Sequence, residues 1–241
     1  MNALIILPTY NESENIEKLI EALLENEIKP DILVVDDNSP DGTGEIVKRI
    51  EDLTNRVKLI SREGKLGLGS AYIEGFKYAL KHNYDYIFEM DADFSHPPSK
   101  LRDFIRAIAE ADFVIGSRYI DKGQIIGWNF WRYCISFGGN LLARLILKSK
   151  IKDMTSGFRC YKRNVLEALN FDKILSEGYF FQVEILYRIL LLGFKGKEIP
   201  ILFKDRELGK SKMSGVILFE ALRNLSKIRH LKKTEKSKDH N

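Results

Sequence analysis

Two cysteines and four histidines in 241 residues leave the chain little with which to build a disulfide framework or a zinc site. Cys134 and Cys160 stand in apolar stretches with no paired spacing, so both read as reduced thiols packed in a core, and the chain as cytoplasmic. His82, His96, His230 and His240 are too scattered to gather on one metal. No apolar run approaches the roughly 18 residues that a membrane span needs. The opening MNALIILPTYNES has no basic leader and turns polar at once, so it reads as a first strand and not as a signal peptide. A G-x-x-x-x-G-K-[ST] phosphate loop and a Ser-His-Asp elbow are also missing. The glycines of KLGLGSAYIEG follow a third strand instead of the first and lack the dinucleotide-binding spacing, which excludes that reading.

What is present is an ordinary globular composition, 44% hydrophobic and 30% charged, in a chain long enough to bury a sizeable core. Short β-branched runs at 3–9, 31–37, 56–61, 85–91 and 112–117 read as strands buried on both faces. Amphipathic patterns at 13–26, 43–53, 68–81 and 99–110 alternate with them, which predicts an α/β domain with a mostly parallel sheet flanked by helices. After Tyr119 come an aromatic and aliphatic helical stretch at 128–148, perturbed at Gly138–Gly139, a loop KDMTSGFRCYKR, a helix near 180–192 and a strand GKEIPILF. A catalytic domain over 1–211 is expected, then a basic amphipathic helix over 212–233 and a disordered tail over 234–241. The net charge is +4, and its densest basic stretch, RNLSKIRHLKK, interleaves Lys and Arg with Leu and Ile. That pattern suits an anionic membrane surface better than nucleic acid, which would call for stacking aromatics.

In an open parallel sheet, ligands bind beyond the carboxyl ends of the strands. Strand one ends in PTYNESEN, strand two in VVDDNSPDGT, strand three leads into SREGKLGLGSA, and strand four ends in EMDADFSHPP. Helix capping accounts for Asn11, Ser13 and Asp41. It does not account for Asp36, Asp37, Asp91 and Asp93 crowding one edge. In D-x-D, side chains two residues apart in a turn can converge on a hard divalent cation, which relieves their repulsion and bridges a diphosphate.

The ordered set PTYNESENI, VVDDNSPDGT, GLGSAYIEGF, MDADFSHPP, GSRY, MTSGFRCYKR and EIPILFKDRELGKSKM resembles family 2 glycosyltransferases, and within them the dolichyl-phosphate (polyprenyl-phosphate) mannosyltransferases. The resemblance covers residues 3 to about 225. It implies a GT-A fold and inverting transfer of mannose from GDP-mannose to dolichyl or polyprenyl phosphate, with Mg²⁺ or Mn²⁺. A donor such as UDP-glucose, or a non-catalytic nucleotide-sugar-binding subunit, remains the alternative. Residue by residue, the resemblance implies that Pro8, Tyr10, Glu12, Asp36 and Asp37 line the nucleoside pocket. Asp91, Ala92 and Asp93 form the D-x-D, Asp93 being the principal metal ligand and Asp91 lying nearer the sugar; Ser95 stands where many relatives carry a further ligand, Gln. Arg118, Arg132, Arg206 and Lys212 would face the phosphates of donor and acceptor. His96 reads as a loop-fixing hydrogen-bond partner, Glu177 as a helix cap, and Asp153 and Thr155 as shaping the acceptor side. The lipid acceptor implies a membrane surface as partner, with 128–148 and the basic helix at the interface. The enzyme is then either peripheral on the cytoplasmic face or dependent on membrane-embedded partner subunits.

Overall fold

The computed structural model describes residues 2–174, 176, 178 and 180–205, so Glu177, Arg206, Lys212 and the segments 212–233 and 234–241 lie outside the described residues. Nine strands and seven α-helices are formed among them. β1 (Ala3–Thr9), β2 (Asp31–Asp36), β3 (Val57–Ser61) and β4 (Tyr86–Glu89) alternate with α1 (Ile16–Leu24), α2 (Thr43–Glu51) and α3 (Leu68–Lys81). α4 (Leu101–Ile108), β5 (Phe113–Ser117), β6 (Gln124–Ile126) and α5 (Phe130–Leu147) follow. The chain continues through β7 (Arg159–Lys162), α6 (Arg163–Glu167), α7 (Phe180–Leu191), β8 (Gly196–Pro200) and β9 (Leu202–Lys204).

Seven strands form the main sheet in the order β3-β2-β1-β4-β7-β5-β8, while β6 and β9 pair in a small second sheet. All neighbours in the main sheet are parallel except β7, which runs antiparallel between β4 and β5. Alternation along the strands builds two cores. Leu4 and Ile6 of β1 join Leu33, Val35 and Ile87 against α3, α6 and α7. Ala3, Ile5 and Leu7 join Ile32, Val34 and Phe88 against α1, α2 and α4. Gly75 of α3 sits directly over Ile6, a contact only a missing side chain allows.

Four expectations are corrected. Residues 159–162, read as part of a loop, form the antiparallel strand β7. GKEIPILF is not one strand: its first half, β8, pairs with β5, and its second half, β9, leaves for the small sheet to pair with β6. α5 runs unbroken through Gly138 and Gly139, because helical hydrogen bonding tolerates glycine at a modest cost. Cys134 is exposed on that helix, whereas Cys160 is in the core as expected.

Candidate functional site

Chain order places β2 and β3 on one side of β1 and β4 on the other, so the crossovers reverse direction between β1 and β4. A crevice opens at such a switch point. Parallel register brings Thr9, Asp36 and Ser61 level at the carboxyl edge. β4 pairs with β1 only as far as Ile6↔Glu89, so the chain leaves the sheet early and carries Asp91 and Asp93 out beside the end of β1.

On the β1–β2 side, Asp36 is buried and fully occupied in fastening loops. It accepts Thr9 Oγ1 at 2.6 Å, Ser39 Oγ at 2.6 Å and the Ser39 N–H at 2.9 Å. Asp37, also buried, accepts the Gly67 N–H at 3.0 Å and is ion-paired with Arg62. Arg62 in turn donates to Ser70 Oγ and the Gly67 carbonyl, tying the β2 loop to the start of α3. The residues before α3 thus serve as a brace organised by Arg62. Tyr10 stands half-buried just past β1, with Lys65 Nζ 4.0 Å from its ring centroid. Glu12 takes the Asn15 amide, and its own N–H donates to Thr43 Oγ1. Pro8 lies in β1, opposite Val35.

On the β4 side, Ala92, Asp93 and Ser95 are buried and Asp91 is half-buried. The Ser95 N–H donates to Asp93 Oδ1 at 3.1 Å, closing an Asx turn. Between them Phe94 is held at φ +59°, a left-handed conformation that costs an aromatic residue roughly 1–3 kcal/mol and persists only where surroundings over-determine it. The Ser95 hydroxyl is buried without a hydrogen-bond partner among the described residues. His96 is buried, stacked on Phe158 at 5.1 Å, and its Nδ1 accepts the Asp91 N–H at 3.1 Å. Its proton then resides on Nε2, 3.9 Å from Asp91 Oδ2. Burial pushes the imidazole pKa down despite the pull of Asp91 and Asp93, so the ring is neutral. Beneath the turn, Glu89 is fully buried and its pKa is pushed up to about 7 by burial, with Arg159 opposing.

The cationic groups fall into different environments. Arg118 sits on the loop after β5 and grips Asp153 with Nε and Nη2, at 2.8 and 2.7 Å, its backbone N–H adding a third bond. Burial raises the cost of the Asp153 charge, yet Arg118 outweighs it and holds the carboxyl below the usual range. The guanidinium is also ringed by Tyr119, Trp128 and Phe203. Arg132 pairs with Asp205 at 2.7 Å and lies 4.5 Å from the Trp128 ring centroid. Arg159, which sequence reasoning passed over inside MTSGFRCYKR, is fully buried and donates to the carbonyls of Met154, Ser156 and Gln182.

A divalent cation can be tested against these residues. Among the described residues no three His, Cys, Asp or Glu side chains gather into a cage. Mg²⁺ and Mn²⁺ do not require one, since they are held by one or two carboxylates, waters and substrate phosphates. Asp91 and Asp93 on one turn, with the unpartnered Ser95 hydroxyl beneath, suit that mode.

α5 is apolar on its outside. Phe130 (73% exposed), Trp131 (74%), Phe137, Leu141 and Leu145 (67%) face outward. Its inner side packs Ala143 and Leu147 into the core and carries two polar anchors: Ser136 accepts the Tyr119 hydroxyl, and Asn140 donates to Thr155 Oγ1, which also accepts from Arg118. Among the described residues no helix is long and apolar enough to cross a membrane.

Residues 4–169 match the family model described as glycosyl transferase family 2. An undecaprenyl-phosphate mannosyltransferase of Micrococcus luteus is 43% identical over 227 residues, 94% of this chain and 93% of the relative. A polyprenol monophosphomannose synthase of Mycolicibacterium smegmatis is 42% identical over 221 residues, 91% of this chain and 83% of the relative. Among solved structures, the mannosyltransferase PcManGT from Pyrobaculum calidifontis, in complex with GDP-Man and Mn²⁺, superposes with a TM-score of 0.57 at 17% identity, over 87% of this chain and 58% of that one. Glucosyl-3-phosphoglycerate synthase from Mycobacterium tuberculosis, with Mn²⁺, UDP-glucose and phosphoglyceric acid, gives 0.63 at 18% identity, over 96% and 79%. At such identities the likeness to both structures is one of fold.

Proposed function

The chain belongs to glycosyl transferase family 2, and on that premise we propose that it transfers mannose from GDP-mannose to a polyprenyl phosphate at a membrane surface, with inversion. Its mostly parallel sheet is a GT-A fold, and the chain is a glycosyltransferase. The relatives at 42–43% identity bear names that specify mannose and a polyprenyl phosphate acceptor, which supports the sugar and the lipid. The observation that carries the reading is the outward apolar face of α5, fastened through Ser136 and Asn140 to the loops of Arg118 and Thr155. A helix whose apolar side faces out and which is tied by polar side chains to the site loops suits an enzyme that takes one substrate from a lipid surface. Both cysteines are free thiols, which suits the cytoplasmic face.

The chemistry asks little of a base. A lipid monophosphate is largely a dianion near neutral pH, its second pKa being about 6. Its oxygen forms the new bond to the anomeric carbon as the bond to the GDP oxygen breaks, and the electron pair leaves with GDP. No proton moves, in keeping with the buried, neutral His96. Asp91 and Asp93 would hold Mg²⁺ or Mn²⁺, which would supply positive charge to a diphosphate leaving group. The carboxyl edge between β1 and β4 orients donor and acceptor, a contribution of positioning rather than acid–base work.

The test is transfer of radiolabelled sugar to a polyprenyl phosphate in lipid vesicles, from GDP-mannose and from UDP-glucose, by wild type and Asp93→Ala. Mannose transfer from GDP-mannose is expected, with Asp93→Ala lowering it roughly 10²–10³-fold while the far-UV circular dichroism stays unchanged. Preferential glucose transfer from UDP-glucose, or full activity with all divalent cations chelated, overturns the reading.

A further inference from the structure

Asp91 differs from Asp93 in how it is held. The Asx turn fixes the Asp93 carboxylate internally, whereas Asp91 is also held by His96, five residues on, and faces Gly157 from a remote loop. His96 Nδ1 takes its backbone N–H at 3.1 Å. Gly157 stands against its carboxylate: a methyl group on Gly157 would lie 3.3 Å from Asp91 Oδ1, 3.6 Å from Oδ2 and 3.5 Å from His96 Cε1. Gly157 is absent from the residues of positive φ, so alanine suits its backbone and this contact is what a side chain would change.

The segment that carries Gly157 cannot retreat. The Met154 N–H donates to Asn140 Oδ1 at 2.8 Å, and the Ser156 hydroxyl donates to the Gly116 carbonyl at 2.6 Å. Arg159, itself fully buried, takes the carbonyls of Met154 and Ser156. Phe158 is packed between His96 and Phe104, with ring centroids 5.1 and 4.4 Å away. With both flanks pinned, a side chain at 157 presses first on the Asp91 carboxylate, its nearest neighbour in the contact.

We infer that His96 and Gly157 are positioning residues for the dicarboxylate site: His96 fixes the Asp91 backbone, and the bare Cα of Gly157 leaves room for its carboxylate to turn toward a divalent cation. This rests on the assignment of Asp91 and Asp93 to the cation made above, and neither residue touches substrate. Supporting groups of this kind typically change metal affinity about 10–100-fold.

The experiment is calorimetric titration of the purified chain, saturated with GDP, by Mn²⁺, with thermal midpoints recorded alongside. The variants are Gly157→Ala, His96→Asn, His96→Phe, Asp91→Asn and, as control, Gly138→Ala, where a methyl group would meet nothing within 4 Å. Gly157→Ala and His96→Phe should each raise the half-saturating Mn²⁺ concentration at least tenfold. Gly138→Ala and His96→Asn, which keeps an acceptor for the Asp91 N–H, should stay within about threefold of wild type. In an Asp91→Asn background, adding Gly157→Ala should change nothing further, an outcome that general loosening of the fold would not produce. Equal Mn²⁺ affinity in wild type, Gly157→Ala and His96→Phe overturns the inference while leaving the cation site intact. Absence of Mn²⁺ uptake by wild type overturns the cation assignment and the inference with it.

Discussion

Replacing Asp153 by alanine strands a buried cation. Arg118 donates to Asp153 through its backbone N–H, Nε and Nη2, and both side chains are withdrawn from water, 8% and 0% exposed. Breaking a buried pair from one side costs about 3–5 kcal/mol, because the remaining charge is neither solvated nor paired. Thr155 Oγ1 at 2.9 Å and the rings of Tyr119, Trp128 and Phe203 recover only part of that. At roughly 2–4 °C per kcal/mol for a chain of this size, the thermal midpoint of Asp153→Ala should fall by about 6–20 °C. The paired replacement Arg118→Met with Asp153→Leu removes both charges and leaves the N–H of residue 118 and the Thr155 hydroxyl without the Asp153 acceptor, so its cost should be nearer about 1–3 kcal/mol. Urea unfolding followed by tryptophan fluorescence measures both, Trp128 lying 5.5 Å from the guanidinium. The pH dependence has a definite sign. Asp153 is held below its ordinary value in the fold, so the pair's stabilisation is complete above about pH 3.9 and fades as pH falls through the lower folded value. The variants should lack that part of the acid-side loss. A cost below about 1 kcal/mol for Asp153→Ala would refute the reasoning, since Arg118 would then have an adequate alternative partner.

Two further outcomes are expected. Trp131→Glu and Phe130→Glu should each weaken co-sedimentation with anionic vesicles roughly tenfold or more, since burying an aromatic side chain is worth about 1.5–3 kcal/mol; unchanged binding would remove α5 from the interface. Gly75→Ala would set a methyl 2.6 Å from Ile6 Cγ2, and overpacking of about 1–3 kcal/mol should exceed the gain in helix propensity of about 1 kcal/mol. A rise in the urea midpoint would mean that Ile6 has a second rotamer to occupy.

The residues of the carboxyl edge were legible because strand periodicity locates strand ends, and chemistry at a strand end in a parallel sheet faces the crevice. Both β1 and α3 have the bounds that their patterns predict. The D-x-D turn was readable for the same reason, and His96 as a loop-fixing partner followed from the prolines after it. Arg118 shows where that reasoning stops. A guanidinium in GSRY reads equally as a phosphate ligand or as half of an ion pair, and its partner, Asp153, is 35 residues away. Arg62, Gly157 and Arg159 gave no local signal, because each acts through what the fold brings against it.

Propensity and periodicity are properties of neighbours along the chain, and they suffice for the alternating α/β class, the polar loops at one sheet edge and the pair of carboxylates. That RCYK enters the sheet as β7 depends on long-range pairing, because its hydrogen bonds come from β4 and β5, strands formed some seventy and forty-five residues earlier. The same holds for which side of α5 faces out. Its orientation is set where Ala143 and Leu147 join the core and Ser136 and Asn140 find partners on other loops, which leaves Phe130, Trp131 and Leu145 on the outside.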